Sequence, residues 1–530
     1  MAFECQEPNQ LVPSSSIIPP SSDLSCVLRP NFTKKTLKKQ TLLQAVPLLT
    51  LKKSNDDDDS GSSGRRLITD LPPALVSEIL RCLDVKDLGI VSCVSTFLHN
   101  LATNHFGWKK FYFERWGPPL SPSPDSEKSW KELFVERELN SKCFMGRYSM
   151  DILHGHTETV LVVFLLQSAR LIFTAGYDSV VRMWDMEDGI LMSASRPFGC
   201  TIRAIAADND ILVAGAYGSF IQCWRAIEGN PHSFDITGSV ANANSEFRLW
   251  GHEGPITCLA LDLDRIFSGS WDMSIRVWDR TSLKCLKKFM HGDWVWALVP
   301  RGSTVASTAG ADAYIWDIGS GELVDVVPNA HEGKASSLAQ SYSGDLLFTG
   351  GEDGAIHMFE VRSHTADDDG IRRIATWKPH TASVNSLAFE FPWLVSSSHD
   401  GRLALIDVRK LLQCSRVKQS VPCAVEPPHR MLHGFGKKLF SVAIGADRIV
   451  SGGEDGVVRV WNFSQALEIA KRAQVLRGIR LENRMSRRKA QIELNAKSGR
   501  PDQGMVSPKK NQMTGSRNGI WNGKQRDKKS

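Results

Sequence analysis

Closely paired cysteines are missing from this sequence. Its 530 residues include 11 cysteines, scattered from Cys5 to Cys423, and no two are separated by only two residues. Zinc ribbons and RING-type sites need neighbouring thiolates, so neither is expected. Long apolar runs are missing as well. The longest dense one, Val160–Leu166, falls far short of the ~18 residues of a membrane span and reads as a buried strand. No membrane association is expected. No apolar signal stretch precedes the fold and the cysteine count is odd, which together predict reduced thiols in the nucleus or cytosol. Glu4 and Glu7 stand before any arginine, which argues against a mitochondrial presequence. Gly-rich phosphate loops, metal-ligand spacings and nucleophile elbows are absent too. The expectation is a protein without catalysis, cofactor or metal.

What is present is ordinary in bulk and uneven in distribution. Apolar residues make up 42% and charged residues 23% of the chain, as in soluble globular proteins. The length exceeds what one compact core organises, so at least two units are expected. The net charge of +6 conceals an asymmetry: from Ser464 onward there are 17 Lys/Arg against 5 Asp/Glu, so the remainder is mildly acidic. A basic tail on an acidic body has two readings, a solvated tail or one that meets import receptors or nucleic acid. Lys471–Arg472 with Arg487–Lys489 has the form of a split import signal.

Residues 1–66 are rich in Ser, Pro and Lys, carry the acidic run Asp56–Asp59, and repeat no apolar period; they read as disordered. The pattern changes at Leu67. Asp70 is a plausible N-cap with prolines in the following turn. Leu75, Ile79 and Leu83 then recur every four residues, with Leu80 beside them, as one helical stripe. Asp87 opens a second helix carrying Leu88, Val91 and Val94, and Leu98, Leu101 and Trp108 indicate a third. Three short helices bury little and need a partner surface. These residues resemble an F-box over roughly 68–112. The resemblance rests on Leu71, Pro72, Leu75, Glu78-Ile79-Leu80, Leu83, Asp87, Leu88 and the late Trp108, with Phe97 where the family commonly has Trp. After a proline-rich break, Trp130, Leu133 and Phe134 are spaced for a helix that packs on this unit and stiffens the link to the next.

From about residue 142 to Phe463 the chain is periodic. Segments such as TAGYDSVVRMWD, SGSWDMSIRVWD and SGGEDGVVRVWN are one motif, ending at Trp184, Trp224, Trp278, Trp316, Phe359, Ile406 and Trp461. Seven copies at this period resemble WD repeats and predict a seven-bladed propeller. GRYSMDIL, just before Gly155–His156, is expected to supply the outer strand of the seventh blade and close the ring. The best repeats offer four side chains for a buried polar chain: His156, Thr174, Asp178 and Trp184 in the first, His252, Ser268, Asp272 and Trp278 in the third. Indole N–H to hydroxyl, hydroxyl to imidazole and imidazole to carboxylate would tie neighbouring strands together. His331, Thr349 and Asp353 end instead in Phe359, and His380, Ser396 and Asp400 in Ile406. The seventh repeat has Phe435 in the histidine position, and the second and fourth are expected to lack most of the set. The His-Ser-Asp trios are read as struts, not as hydrolase triads.

The predicted fold is therefore α+β and multidomain. A small α-helical F-box (67–115) and a helical linker (116–141) precede an all-β seven-bladed WD-repeat propeller (142–463). A disordered N-terminal region (1–66) and a basic, helical then disordered tail (464–530) flank them. Such a combination resembles the substrate-receptor subunits of SCF ubiquitin ligases. The resemblance implies that Leu71, Pro72, Leu75, Ile79, Leu80, Leu83, Leu88 and Val91 bind a Skp-family adaptor, and through it a cullin. It also implies that the top rim of the channel holds a protein target. The turns there supply Tyr177, Tyr217, Trp271, Glu352, His399 and Glu454, and the inner-strand starts Arg203, Trp294, Trp296, Lys334, Lys438 and Phe440. Two other readings stay open: a receptor for the cullin branch that reads a Trp-Asp-x-Arg ending (compare Trp278–Thr281 and Ile406–Arg409), and an RNA-associated scaffold using the tail.

Overall fold

The computed structural model describes residues 71–119, 128–227, 229–238, 246–361, 370–409, 427–433 and 437–497, with Ile68, Leu411 and Leu412. The expectations for 1–66, for Asp70, for Phe435 and for the tail beyond Lys497 fall outside them.

Five short helices come first: α1 (Pro73–Arg81), α2 (Val85–Val91), α3 (Thr96–Thr103), α4 (Gly107–Trp116) and α5 (Trp130–Asn140). Pro72 immediately precedes α1, with prolines occupying positions where a helix has no N–H bond to lose. The second helix does not open at Asp87. Asp84 caps it, its carboxylate accepting the Asp87 N–H at 2.8 Å. Ser95 caps α3 through the Leu98 N–H. The third predicted helix is in fact two, broken between Thr103 and Gly107 where His105 turns inward and accepts the Gly107 N–H. Trp108 therefore begins α4, and its indole N–H donates to the Ala102 carbonyl at 2.7 Å across the break.

One apolar core joins all five helices. Val76, Leu80, Leu88, Leu98, Ala102, Trp108, Tyr112 and Phe134 are buried together, with Trp116, Trp130 and Leu133 packed against them. Phe134 of α5 meets the Trp108 ring edge-on at 5.3 Å. The predicted linker helix is thus part of the helical core. A capping box between Ser129 and Glu132 fixes its start.

Seven antiparallel sheets follow. Most have a buried strand bearing the Ser or Thr of the repeat, then a strand carrying the repeat aromatic near its end, as in Arg265–Ser270 paired with Ser274–Asp279; blade two has Ala214 in place of the hydroxyl and blade six Ile406 in place of the aromatic. Inner-strand starts bulge by one residue in most blades, for example between Ile256 and Cys258. Blade two has a fifth strand, Asn230–Phe234, which pairs with the end of Phe220–Ile227, the strand that also carries the outer strand Glu246–Trp250. The ring closes on itself: Ser149–Leu153 pairs with Val458–Asn462, Met150 opposite Trp461. Every edge inside the ring is thereby covered. The cores lie between blades, as where Trp278 packs with Ile211, Val213 and Ile221 of the preceding sheet.

The helical unit is bolted to the sixth and seventh blades. Trp116 donates its indole N–H to the Phe391 carbonyl at 2.8 Å, and Trp393 to the Ser141 carbonyl at 2.6 Å. Arg137 pairs with Glu390, and Glu138 lies between Arg115 and Arg409. Beyond the ring runs α6 (Ser464–Lys497), whose Leu467 packs with Cys143, Phe144 and Phe463. Among the described residues, no helix is long and apolar enough to cross a membrane.

Candidate functional site

Two surfaces and one internal network contain the predicted residues. On the helical unit, the stripe read from the sequence divides into an outer and an inner set. Leu71, Leu75 and Ile79 are exposed by 39%, 54% and 43%, with Pro72 exposed beside them. Leu80 and Leu88 are at 3% and 0% and belong to the core. Their side chains are spent on holding the helices together and leave little surface for an adaptor. Leu83 and Val91 are half-buried against that core. Val76 and Leu80 form a parallel four-residue stripe one position along, and it is this stripe that α1 turns into the core. Val94, read from the sequence as part of the second helix's apolar set, is exposed, and Ile90 and Phe106 are further exposed apolar side chains that the sequence pattern did not single out.

At the channel, Tyr177, Arg203, Trp271, Trp296, Lys334, His399 and Phe440 line one cavity of about 470 Å³, together with Glu352. Different blades deliver these side chains through the repeat turns and the adjoining inner-strand starts. Trp271 and Trp294 stack with centroids 4.8 Å apart, Trp296 stands edge-on to both, and Tyr217 meets Trp271 at 5.2 Å. Tyr217 and Trp294 are thus a second layer behind Trp271, although Trp294 keeps 40% of its surface open. Arg203 and Lys334 both sit over the Trp296 ring, at 5.7 and 5.2 Å. Cations over an indole are attracted by its π-face. Lys438 flanks this cavity; its carbonyl accepts the Glu454 N–H at 2.9 Å and its own N–H donates to the Glu454 carboxylate at 3.5 Å.

Electrostatics at this mouth are those of a recognition surface. Burial, with the Lys438 charge added, pulls the His399 pKa down and favours the neutral ring. Burial pushes the Cys258 thiol up to about 12, which makes it a poor nucleophile. Ser336, Ser383, Asn385 and Ser441 also line the cavity; they sit in or just before inner strands, where small polar residues carry no distinguishing sequence signal. The arrangement offers aromatic faces, two cations and hydroxyls, which suits a peptide-like ligand.

The struts are built with close geometry. In blade three the Trp278 indole N–H donates to Ser268 Oγ at 2.9 Å, while His252 bonds Ser268 through Nε2 and Asp272 through Nδ1, both at 2.7 Å. Blade one repeats this with Trp184, Thr174, His156 and Asp178 at 2.7–2.8 Å. Burial alone would raise the Asp272 carboxyl, but hydrogen bonds from His252 and Ser274 outweigh it and hold the group far below the usual carboxylate range. The same balance lowers Asp178. These hydroxyls are fully buried and accept an indole N–H, so they face no substrate.

Blade four keeps more of the network than its sequence indicated. His291 bonds Ser307 at 2.9 Å and accepts the Trp316 N–H at 3.1 Å. Its hydroxyl-to-Trp spacing is one residue shorter than in blades one and three, so Asp312 passes the corner and accepts from Tyr314 and Asn329 instead. With no carboxylate beside it, burial takes His291 down to about 4. Blade two has Phe198 against Trp224 in place of the polar chain. In blade five His331 contacts Thr349 and Asp353, and a second histidine, His357, lies with its ring 4.4 Å from it. Burial first, then neighbouring charge, brings His357 to about 4.

Comparison with known proteins gives two domain matches. The F-box domain matches residues 68–110. The WD domain, G-beta repeat, matches 147–185, 244–279, 321–360, 371–407 and 430–462, which leaves unmatched the stretches that hold blade four and most of blade two. An F-box/WD-40 repeat-containing protein of Arabidopsis thaliana is 59% identical over 467 residues, 87% of this chain and 86% of that one. F-box/WD repeat-containing protein 9 of Homo sapiens is 23% identical over 349 residues, covering 64% and 56%. Mitochondrial division protein 1 of Aspergillus oryzae is 24% identical over 265 residues, covering 39% and 41%.

Proposed function

Because this chain belongs to the F-box/WD-40 repeat-containing proteins, we propose that it is the substrate-recognition subunit of an SCF-type ubiquitin ligase. F-box domains generally bind Skp-type adaptors, and WD40 propellers bind substrates. In the proposed reading the outer stripe of α1 docks on the adaptor, and the aromatic mouth of the channel grips a protein target for ubiquitination. The chain supplies no reacting group. Its contribution to rate is the proximity it imposes between target and conjugating enzyme.

The observation that carries the adaptor half is the division of the α1 stripe. Leu71, Leu75 and Ile79 stay exposed although Val76, Leu80 and Leu88 already close the core. Apolar side chains that fold stability does not require, grouped on one short helix and the turn that leads into it, mark an interaction surface. The arginines of the alternative cullin-branch motif are engaged elsewhere. Arg280 pairs with Asp208 at 2.7 Å and caps the Asp262 and Leu263 carbonyls, while Arg409 is clasped by Asp407 and Glu138. These pairings weigh against that alternative. The test is co-purification of the full chain with a Skp-type adaptor, followed by ubiquitin transfer to captured targets in a reconstituted ligase. Failure of the intact chain to retain the adaptor would overturn the proposal.

A further inference from the structure

Blade five departs from the other blades in two places at once. Its repeat aromatic is Phe359, so no indole N–H reaches the Thr349 hydroxyl. Two residues earlier stands His357, where blades one and seven have Arg182 and Arg459. Those arginines pair with the turn carboxylates Asp178 and Asp455 and offset their buried negative charge. For the corresponding Asp353, the ion-pair partner among the described residues is His331. One ligand atom from each of His331, Asp353 and His357 falls in a cluster within 4.8 Å of one another.

We infer that His331, Asp353 and His357 form a binding site for a divalent transition-metal ion, of which zinc is the type. Two imidazole nitrogens and one carboxylate oxygen are a donor set that suits zinc, with a fourth position left for solvent. The Asp353 side chain is 11% exposed, enough for solvent to reach it.

The tautomers permit it. In blades one and three the indole N–H occupies the hydroxyl, and imidazole Nδ1–H donates to the carboxylate, so that nitrogen has no lone pair to give. With Phe359 in place, Thr349 Oγ1 can accept Nε2–H of His331 across their 2.8 Å contact, which frees Nδ1 as a ligand. On the other side His357 Nδ1 bonds Thr376 Oγ1 at 2.8 Å and leaves Nε2 free. Each imidazole is thus oriented by a hydroxyl on its far nitrogen, the arrangement that metal-binding histidines use. Blade six lacks the indole too, at Ile406, but has Ala404 where blade five has His357. The exposed Arg373 opposes a cation at the site, and solvent screens it.

An ion here would fix the turn that presents Glu352 to the channel mouth, one residue before Asp353. The experiment uses the full-length, tag-free chain stripped with a chelator. Zinc is titrated in competition with a chromophoric chelator, and cobalt(II) is substituted to read ligand geometry from its visible spectrum. The expected result is stoichiometric zinc uptake, an upward shift in Tm on adding zinc, and a cobalt spectrum typical of low coordination number with nitrogen ligands. His357→Arg restores the residue of blades one and seven. It should keep the metal-free Tm and weaken zinc binding by more than ~100-fold, since even losing an outer-shell partner costs about 10–100-fold. Thr376→Val should fall within that outer-shell range. His357→Gln is the companion variant should the arginine prevent folding. Zinc binding by the intact chain that is no tighter than that of the His357 variants would overturn the inference, as would an unchanged Tm with zinc.

Discussion

Replacing Leu75 and Ile79 by alanine, together with Leu71→Ala, separates adaptor binding from folding. Full burial of a large aliphatic side chain contributes ~1.5–3 kcal/mol. Since Leu71, Leu75 and Ile79 have 39–54% of their surface still exposed, about half of that remains to be gained on docking. The three together then account for roughly 2–4 kcal/mol of adaptor affinity, or ~30- to 1000-fold in Kd. The folded chain loses little, because these side chains are not what closes the core. Leu80→Ala is the contrasting case. It empties a site that is 3% exposed among Val76, Leu98 and Trp108, and should cost about 2–5 kcal/mol of stability. The assay pairs calorimetric titration of adaptor into each purified variant with its thermal melt. The outer triple variant should show weakened binding and an almost unchanged melt of the helical unit, whereas Leu80→Ala should lower both. Full affinity in the outer variant would refute the reasoning, since the exposed stripe would then be mere surface.

Three further outcomes are expected. Trp271→Ala combined with Arg203→Ala should release bound target while sparing the adaptor, Trp271 alone contributing on the order of 2 kcal/mol; retention of target by the double variant would move the site to another face. Asp272→Ala leaves His252 without its acceptor and should cost roughly 1–3 kcal/mol, read as a lower propeller Tm with adaptor binding intact; an unchanged Tm would dismiss the strut. His291, held neutral down to about pH 4 against an ordinary value of 6.5, binds its proton more readily in the unfolded chain. Its contribution is therefore complete above pH 6.5 and is lost as pH falls toward 4, by up to roughly 3 kcal/mol. Chemical denaturation across that window should be visibly flatter in His291→Gln, and identical slopes would contradict the assignment.

Much of this architecture could be read from the chain because the WD period is imposed by geometry. A buried hydroxyl, a tight turn and a bulky apolar side chain recur at nearly fixed separation in most blades, so six aromatics and Ile406, from Trp184 to Trp461, mark seven sheets in the sequence. The closing strand at Met150 was legible for the same reason: its alternation continues a blade with no other outer edge. The helical unit was less legible. A four-residue recurrence identifies a helix but does not say which neighbouring stripe faces inward, so Leu80 and Leu88 were grouped with surface residues. The break before α4 was hidden because Trp108 continues an apolar period while its own N–H staples the two pieces together. The cluster at His357 was invisible for a different reason. His331, Asp353 and His357 come from a loop, a turn and a strand, and the pairing of Thr349 with His357 across the sheet helps bring them together.

The pairing of Met150 with Trp461 also has a kinetic meaning. A chain made from its N-terminus releases the helical unit and six sheets before the strand that completes the seventh exists. Until Val458–Asn462 arrives, Ser149–Leu153 has no partner and both flanks of the unfinished ring are templates for foreign strands. Contacts this remote in sequence are slow to form, so the nascent protein spends its most vulnerable interval with the F-box helices already made. A truncation ahead of Val458 would make that interval permanent, yielding a species with its F-box formed while its propeller stands open to aggregation.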